Sequence, residues 1–245
     1  MALREQRKAV SGLSVHNADP VCLASMLIVM DAFARLEGRP HTHQFGGYTP
    51  PMDWLHMGQG SGTVFKASMG LVGAITPSSR QPDSKIATLL STPPSLAEVD
   101  LYVDANRAVY RAVLDRPAAP AWREADGLWD AEVRDTYDKT LTLAGSIRRA
   151  MREGEPAYVV CRRLVAFAML VPRRFLELVE EQRPRALVIL AIYFCLAGVW
   201  SRSVWWLSAA EREVVAIRAA LPEEWRPVLD AYMLQGQHVS RHGSL

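Results

Sequence analysis

Three glycines in five residues, Gly58-Gln59-Gly60-Ser61-Gly62, have the density of a loop that cradles phosphate. Such a loop needs a strand before it and, in its triphosphate-binding form, a lysine followed by Ser or Thr. Neither is present, so the phosphate-loop and dinucleotide fingerprints both fail. Ser61 also lacks the glycines two residues to either side that mark a nucleophile elbow. The glycines read instead as a close helix approach or a local kink. His41 and His43 put two imidazoles in one loop, with His56 further on. A metal centre needs three or four converging ligands, and no acidic partner stands at a diagnostic spacing, so the first pair reads as surface loop. His56 follows Trp54-Leu55 on an apolar segment, where it is a satisfied core histidine or a donor to a pocket. Asp100 and Asp104 lie one helical turn apart, but a magnesium–diphosphate site would need a denser carboxylate cluster. Arg107 is expected to pair with Asp104 on a solvated face. No metal, no cofactor and no ionisation of a prenyl diphosphate is expected from these residues.

The aromatic residues of the last third are the stronger signal. Arg183-Pro184-Arg185 leads into fifteen uncharged residues, Ala186 to Trp200, followed by Trp205-Trp206 and Leu221-Pro222-Glu223-Glu224-Trp225. Spanning a bilayer takes about 20 apolar residues, so this run predicts a buried helix and no membrane span. Tyr193, Phe194, Trp200, Trp205 and Trp206 give a large rigid surface, suited either to a packed core or to a flat polycyclic ligand.

The elements that would position these residues are all helical. The chain has 245 residues, 49% of them hydrophobic and 22% charged, an ordinary soluble composition with room for a substantial core. A net charge of +2 argues against a dedicated nucleic-acid surface. Cys22, Cys161 and Cys195 are widely spaced and odd in number, which fits a reducing compartment and not a disulfide framework. The charged start, Met1 to Lys8, is followed by no apolar stretch of a secretory signal. Asp19-Pro20 is expected to open a helix that stops at Gly38-Arg39-Pro40. Further helices are expected at 51–73, from Ser95 to Leu114, and at 126–152, 158–170, 172–183, 184–199, 209–221 and 223–234. Residues 76–94, rich in Pro and Ser, read as an exposed linker. No segment alternates with a period of two, so no sheet is expected. The prediction is a single all-α domain over 1–245, an irregular multi-helix bundle around an apolar pocket.

The stretch Arg162-Arg163-Leu164, Pro172-Arg173-Arg174-Phe175-Leu176-Glu177-Leu178, Arg183 to Ala191, Tyr193, Trp205-Trp206 and Leu221 to Trp225 resembles the C-terminal effector domain of fungal zinc-cluster transcription factors. It is most similar to the sterol-uptake control regulators, whose helical domain binds ergosterol in a hydrophobic pocket. Asp53-Trp54-Leu55 and the helix from Asp19 to Phe33 match more loosely, and the resemblance is most specific over 160–232. There are departures. The six-cysteine DNA-binding cluster and the family's opening helices are missing. Ile192 replaces the usual histidine before Tyr193, Ala209-Ala210 replaces Gly-Trp, and a polar tail, Gln235 to Leu245, follows. With Met1 as the natural start, the resemblance implies a stand-alone protein of fungal secondary metabolism that binds a terpenoid or sterol-like molecule. One version is a cofactor-free cyclase or pericyclase that holds a flexible substrate in its reactive conformer, with His56 and Tyr193 as donors and Trp54, Phe194, Trp200, Trp205 and Trp206 around the ligand. The other is a ligand-responsive regulator or co-regulator without its own DNA-binding module. The expected partners are an apolar small molecule and either a second copy or a DNA-binding protein, with no direct nucleic-acid contact. The expected location is cytoplasmic for the enzyme and nuclear for the regulator.

Overall fold

The computed structural model describes residues 2–39, 48–73, 84–86, 88, 101–114 and 129–240, and among these there is no strand. The fold is all-α. Helix α1 (Ala2–Ser11) leads into α2 (Ala18–Ala34), which tightens into a 3-10 turn at Arg35–Gly38. The opening of α2 lies two residues earlier than Asp19-Pro20 suggests. Asn17 takes the cap position, its Oδ1 accepting from the Ser14 amide at 2.7 Å. Pro20 is still within the first turn, where its missing N–H costs nothing. Asp19 turns outward instead, accepting from Ser84 Oγ at 2.8 Å and from the Lys85 amide. Of the expected linker 76–94, only residues 84–86 and 88 are described, and there Ile86 is buried.

Helix α3 (Met52–Gly73) runs unbroken through its glycines. The close approach that the sequence suggested is made by Gly58 and Gly62, and not by Gly60. A Cβ on Gly58 would stand 2.5 Å from the Cβ and carbonyl oxygen of Ala168, and one on Gly62 would stand 2.5 Å from the carbonyl oxygen of Met169. The helix that carries Ala168 and Met169, α7 below, therefore crosses α3 with almost no side-chain spacer.

The single helix expected from Ser95 to Leu114 is, where described, two short ones: α4 (Asp104–Ala108) and α5 (Arg111–Leu114). Asn106 Nδ2 bonds back to the Leu101 carbonyl at 2.9 Å, and Gly145 admits the Asn106 backbone against its own Cα. This local docking replaces a continuous helix, and Val109 is left partly exposed. Helix α6 (Ala131–Arg152) starts at Asp130, whose side chain accepts from the Val133 amide at 2.8 Å, four residues beyond the expected opening. The remaining helices are α7 (Ala157–Leu170), α8 (Arg173–Glu180), α9 (Pro184–Gly198), α10 (Ala210–Ala220) and α11 (Arg226–Ser240). Short 3-10 turns at Trp205–Leu207 and Glu223–Trp225 precede the last two. Helix α11 continues six residues beyond Leu234, because nothing stronger than Gly236 interrupts it.

Helix α9 is the axis of the molecule. Pro184 occupies its first position, where proline is pre-set for helix, and the residues from Pro184 to Phe194 are buried on every face. Helices α6, α8, α10 and α11 pack on it, while α2 and α3 pair with each other and α3 lies across α7. Among the described residues no helix is long and apolar enough to cross a membrane.

Candidate functional site: a recess beside a filled aromatic core

Six rings from five elements meet where α2, α3, α7 and α9 converge. Trp54 stacks on Tyr193 with centroids 5.4 Å apart, and Phe167 stacks on the other side of the tyrosine at 4.1 Å. Phe33 meets Trp54 edge-on at 5.0 Å and Trp206 edge-on at 5.5 Å, and Phe194 tilts against Phe33 at 5.8 Å. Tyr193 donates to the Leu164 carbonyl at 3.2 Å, and burial pushes its phenol far above the usual range. Rings at these separations occupy the interior themselves.

The seven residues expected to share one site are therefore divided. Trp54, Tyr193, Phe194 and Trp206 are brought together, as packed core. His56 lies on the exposed face of α3 and points at no enclosed space, because Trp54 and Leu55 already take the buried side of that turn. The indoles of the Trp205-Trp206 pair part company: Trp206 is 4% exposed and Trp205 65% exposed. Trp200 packs half-buried at the edge of the core, and its indole N–H has no partner among the described residues. Ala209 and Ala210, in place of Gly-Trp, are both buried.

Open volume lies elsewhere. A recess of about 810 Å³, open to solvent on one side, sits between α1, α2, the loop at 49–51, the start of α3 and the end of α8. Of the expected ligand-contacting residues only Trp54 borders it. Its apolar wall comes from Ile28, Ala32, Leu36, Met52 and Met57, and its rim carries Asp31, Arg35, Arg39, Asp53, Glu180 and Gln182. Arg39 fixes one side by donating to the Thr49 carbonyl at 3.0 Å and the Pro50 carbonyl at 3.3 Å. Tyr48, next to that loop, donates to Glu213 Oε2 on α10 at 2.8 Å, and burial raises its phenol well above the ordinary range. The α10 residue Arg212 donates to the backbone carbonyls of Glu37 and Arg39, and Ser208 to the Glu37 carboxylate at 2.7 Å. The apolar interior expected to hold a ligand is thus filled, and the space beside it is a surface recess of mixed lining. Sequence reasoning missed that recess because its walls come from residues as distant as Leu3 and Gln182. One usable signal was Asp53, charged and adjacent to a buried Trp54.

A second recess of about 350 Å³ lies where α4 and α5 meet α6. There Arg107 pairs with Asp104 at 3.1 Å, as expected, and also with Asp138. Among the described residues no three His, Cys, Asp or Glu side chains come together as metal ligands. His41, His43 and Asp100 lie outside the described residues.

What fold and site define is an all-helical domain with a closed aromatic core and a solvent-facing recess. Compared with known proteins, the chain is 30% identical over 187 residues to the Zn(2)-C6 fungal-type transcription factor afumD of Aspergillus fumigatus, covering 76% of this chain and 45% of that protein. It is 24% identical over 214 residues to a Zn(2)-C6 fungal-type transcription factor of Gibberella zeae, covering 84% of this chain and 40% of that protein. This chain is a homologue of fungal Zn(2)-C6 transcription factors, and it spans less than half the length of these curated relatives. No family model matches the chain, and no solved structure matches it.

Proposed function

We propose that this chain is a regulatory domain of the fungal zinc-cluster transcription-factor type, acting in the nucleus by protein contact and answering to a small molecule. The observation that carries the reading is the similarity to two such factors over 76% and 84% of the chain. The cysteines that would hold a zinc cluster are not among these residues, since Cys22, Cys161 and Cys195 are far apart. DNA would therefore be read by a different segment or a different protein. A helical body with a recess of about 810 Å³ is of a size to hold a compact organic ligand, in the range of roughly 300–1,000 Å³ common to such sites. By analogy with the sterol-uptake regulators, that ligand is proposed to be largely apolar and of terpenoid or sterol size.

Cofactor-free cyclisation has no comparable support. Of its two intended donors, His56 faces solvent, and the Tyr193 hydroxyl is buried and already bonded to a backbone carbonyl. Fusing residues 1–245 to a heterologous DNA-binding module in a fungal reporter strain tests the regulatory reading. Reporter output is expected to differ from that of the module alone. Unchanged output, together with conversion of a biosynthetic intermediate by the purified protein, would overturn it.

A further inference from the structure

The recess beside Trp54 has a chemical polarity that narrows what it can hold. Its wall is apolar on the α2 and α3 sides, through Ile28, Leu36 and Met57. Its rim carries five charges, and their pairing decides the local sign. Asp31 and Arg35 neutralise each other at 2.7 Å. Arg39 is committed to two backbone carbonyls. Asp53 and Glu180 remain, and among the described residues neither carboxylate has a hydrogen-bond or ion-pair partner. They stand on α3 and α8, which pack against each other.

The backbone adds to the Glu180 end. Glu180 is the last residue of α8, where the aligned peptide dipoles already place partial negative charge. Helix α8 is terminated there by Gln182 in the left-handed conformation, at φ 54°, with the Arg183 amide closing onto the Leu178 carbonyl. A carboxylate at a helix C-terminus is repelled by its own helix, and a bound cation relieves that repulsion. Asp53 sits in the first turn of α3, next in the chain to the Trp54 that borders the recess.

We infer that this recess binds an amphipathic small molecule whose apolar body lies on Ile28, Leu36 and Met57 and whose positively charged nitrogen is held by Asp53 and Glu180. The inference rests on the ligand-responsive part of the proposed function, and it specifies the class of ligand. An anionic amphiphile of the same shape meets Arg39 alone on the favourable side and two uncompensated carboxylates on the other.

The test uses the whole purified chain and two rigid probes of equal hydrocarbon shape and opposite charge, 1-adamantanamine and 1-adamantanecarboxylate, with binding read by titration calorimetry and ligand-observed NMR. The amine is expected to bind saturably, about tenfold tighter than the carboxylate at low salt, with the preference shrinking as salt rises. The double variant Asp53→Asn/Glu180→Gln changes two exposed side chains and no buried one. It is expected to bring the two probes to within about twofold of each other. Ala32→Phe, which fills the recess, is expected to abolish binding of both. Equal affinity of the wild type for both probes, absence of saturable amine binding, or an amine preference that survives in the double variant would overturn the inference. None of these readouts depends on transcription. A reporter that responds while the amine fails to bind would leave the regulatory reading standing and remove this one.

Discussion

At the scale of single residues, the glycines of α3 make opposite predictions within two positions. A Cβ at Gly58 would meet Ala168 at 2.5 Å, and the atoms met are a Cβ and backbone that cannot swing away. Gly58→Ala is therefore expected to destabilise the fold by about 2 kcal/mol, the usual scale of overpacking. Gly60 has nothing within 4 Å of its would-be Cβ, so Gly60→Ala is expected to stabilise by roughly 0.5–1 kcal/mol through helix propensity alone. Urea midpoints of the two variants check both signs, and an unperturbed Gly58→Ala would refute the crossing. The buried thiols and phenols set an alkaline limit. Burial pushes Cys22 up to about 11 and Cys195 up to about 12 from an ordinary 9.0, and it raises Tyr110 and Tyr193 above their usual 10. A group raised on folding contributes stability that is complete below its unfolded value and is lost as the pH climbs through its folded value. Stability is thus expected to be flat up to about pH 9 and to fall steadily between about 9 and 12. Thermal melts across that window check it, and a stability that rises there would contradict the burial of these groups.

At the scale of elements, Arg185 joins parts that the chain separates. From the start of α9 it donates to the Val113 and Leu114 carbonyls at the end of α5. It also lies over the rings of Trp129 at 4.3 Å and Trp225 at 5.1 Å. Arg185→Lys keeps the charge but loses the flat, forked group that stacks and donates at once, so a loss of about 2 kcal/mol is expected. Denaturant unfolding is the measurement, and a change below about 0.5 kcal/mol would show that the clamp is ornamental. These long-range ties explain which parts of the fold the sequence announced. Helix α9 was legible because proline opens it and fifteen uncharged residues follow. Helix α3 was legible in extent, and the glycines named their own purpose. The break at Val109 was not legible, since it depends on Asn106 meeting Gly145, a contact that periodicity does not encode. The site was least legible of all. Aromatic density at Tyr193 to Trp206 correctly marked a cluster, but local sequence does not say whether rings face one another or surround a space. The closing of that space takes Phe33 and Phe167, from helices far away in the chain, and nothing in the sequence around Tyr193 to Trp206 points to either.

At the scale of the whole molecule, the regulatory reading separates the body that folds from the rim that senses. The core around α9 is complete without the rim, so variants at Asp53 and Glu180 are expected to leave the melting temperature within about 2 °C of the wild type, as ordinary surface changes do. In the reporter fusion the same double variant is expected to alter the response to an amine-bearing amphiphile while leaving protein abundance unchanged, as read by immunoblot. Loss of abundance in parallel with loss of response would mean that the rim is structural. The tight crossing of α3 on α7 then has a mechanical consequence. Trp54 lies one turn before Gly58, which sits on Ala168, and one turn back along α7 the Leu164 carbonyl holds the Tyr193 hydroxyl. Two rods pressed together without cushioning resist slipping past each other, so a guest that levers the first turns of α3 aside must carry α7 with it and tug on the central helix at Tyr193, through both the Leu164 oxygen and the Phe167 ring.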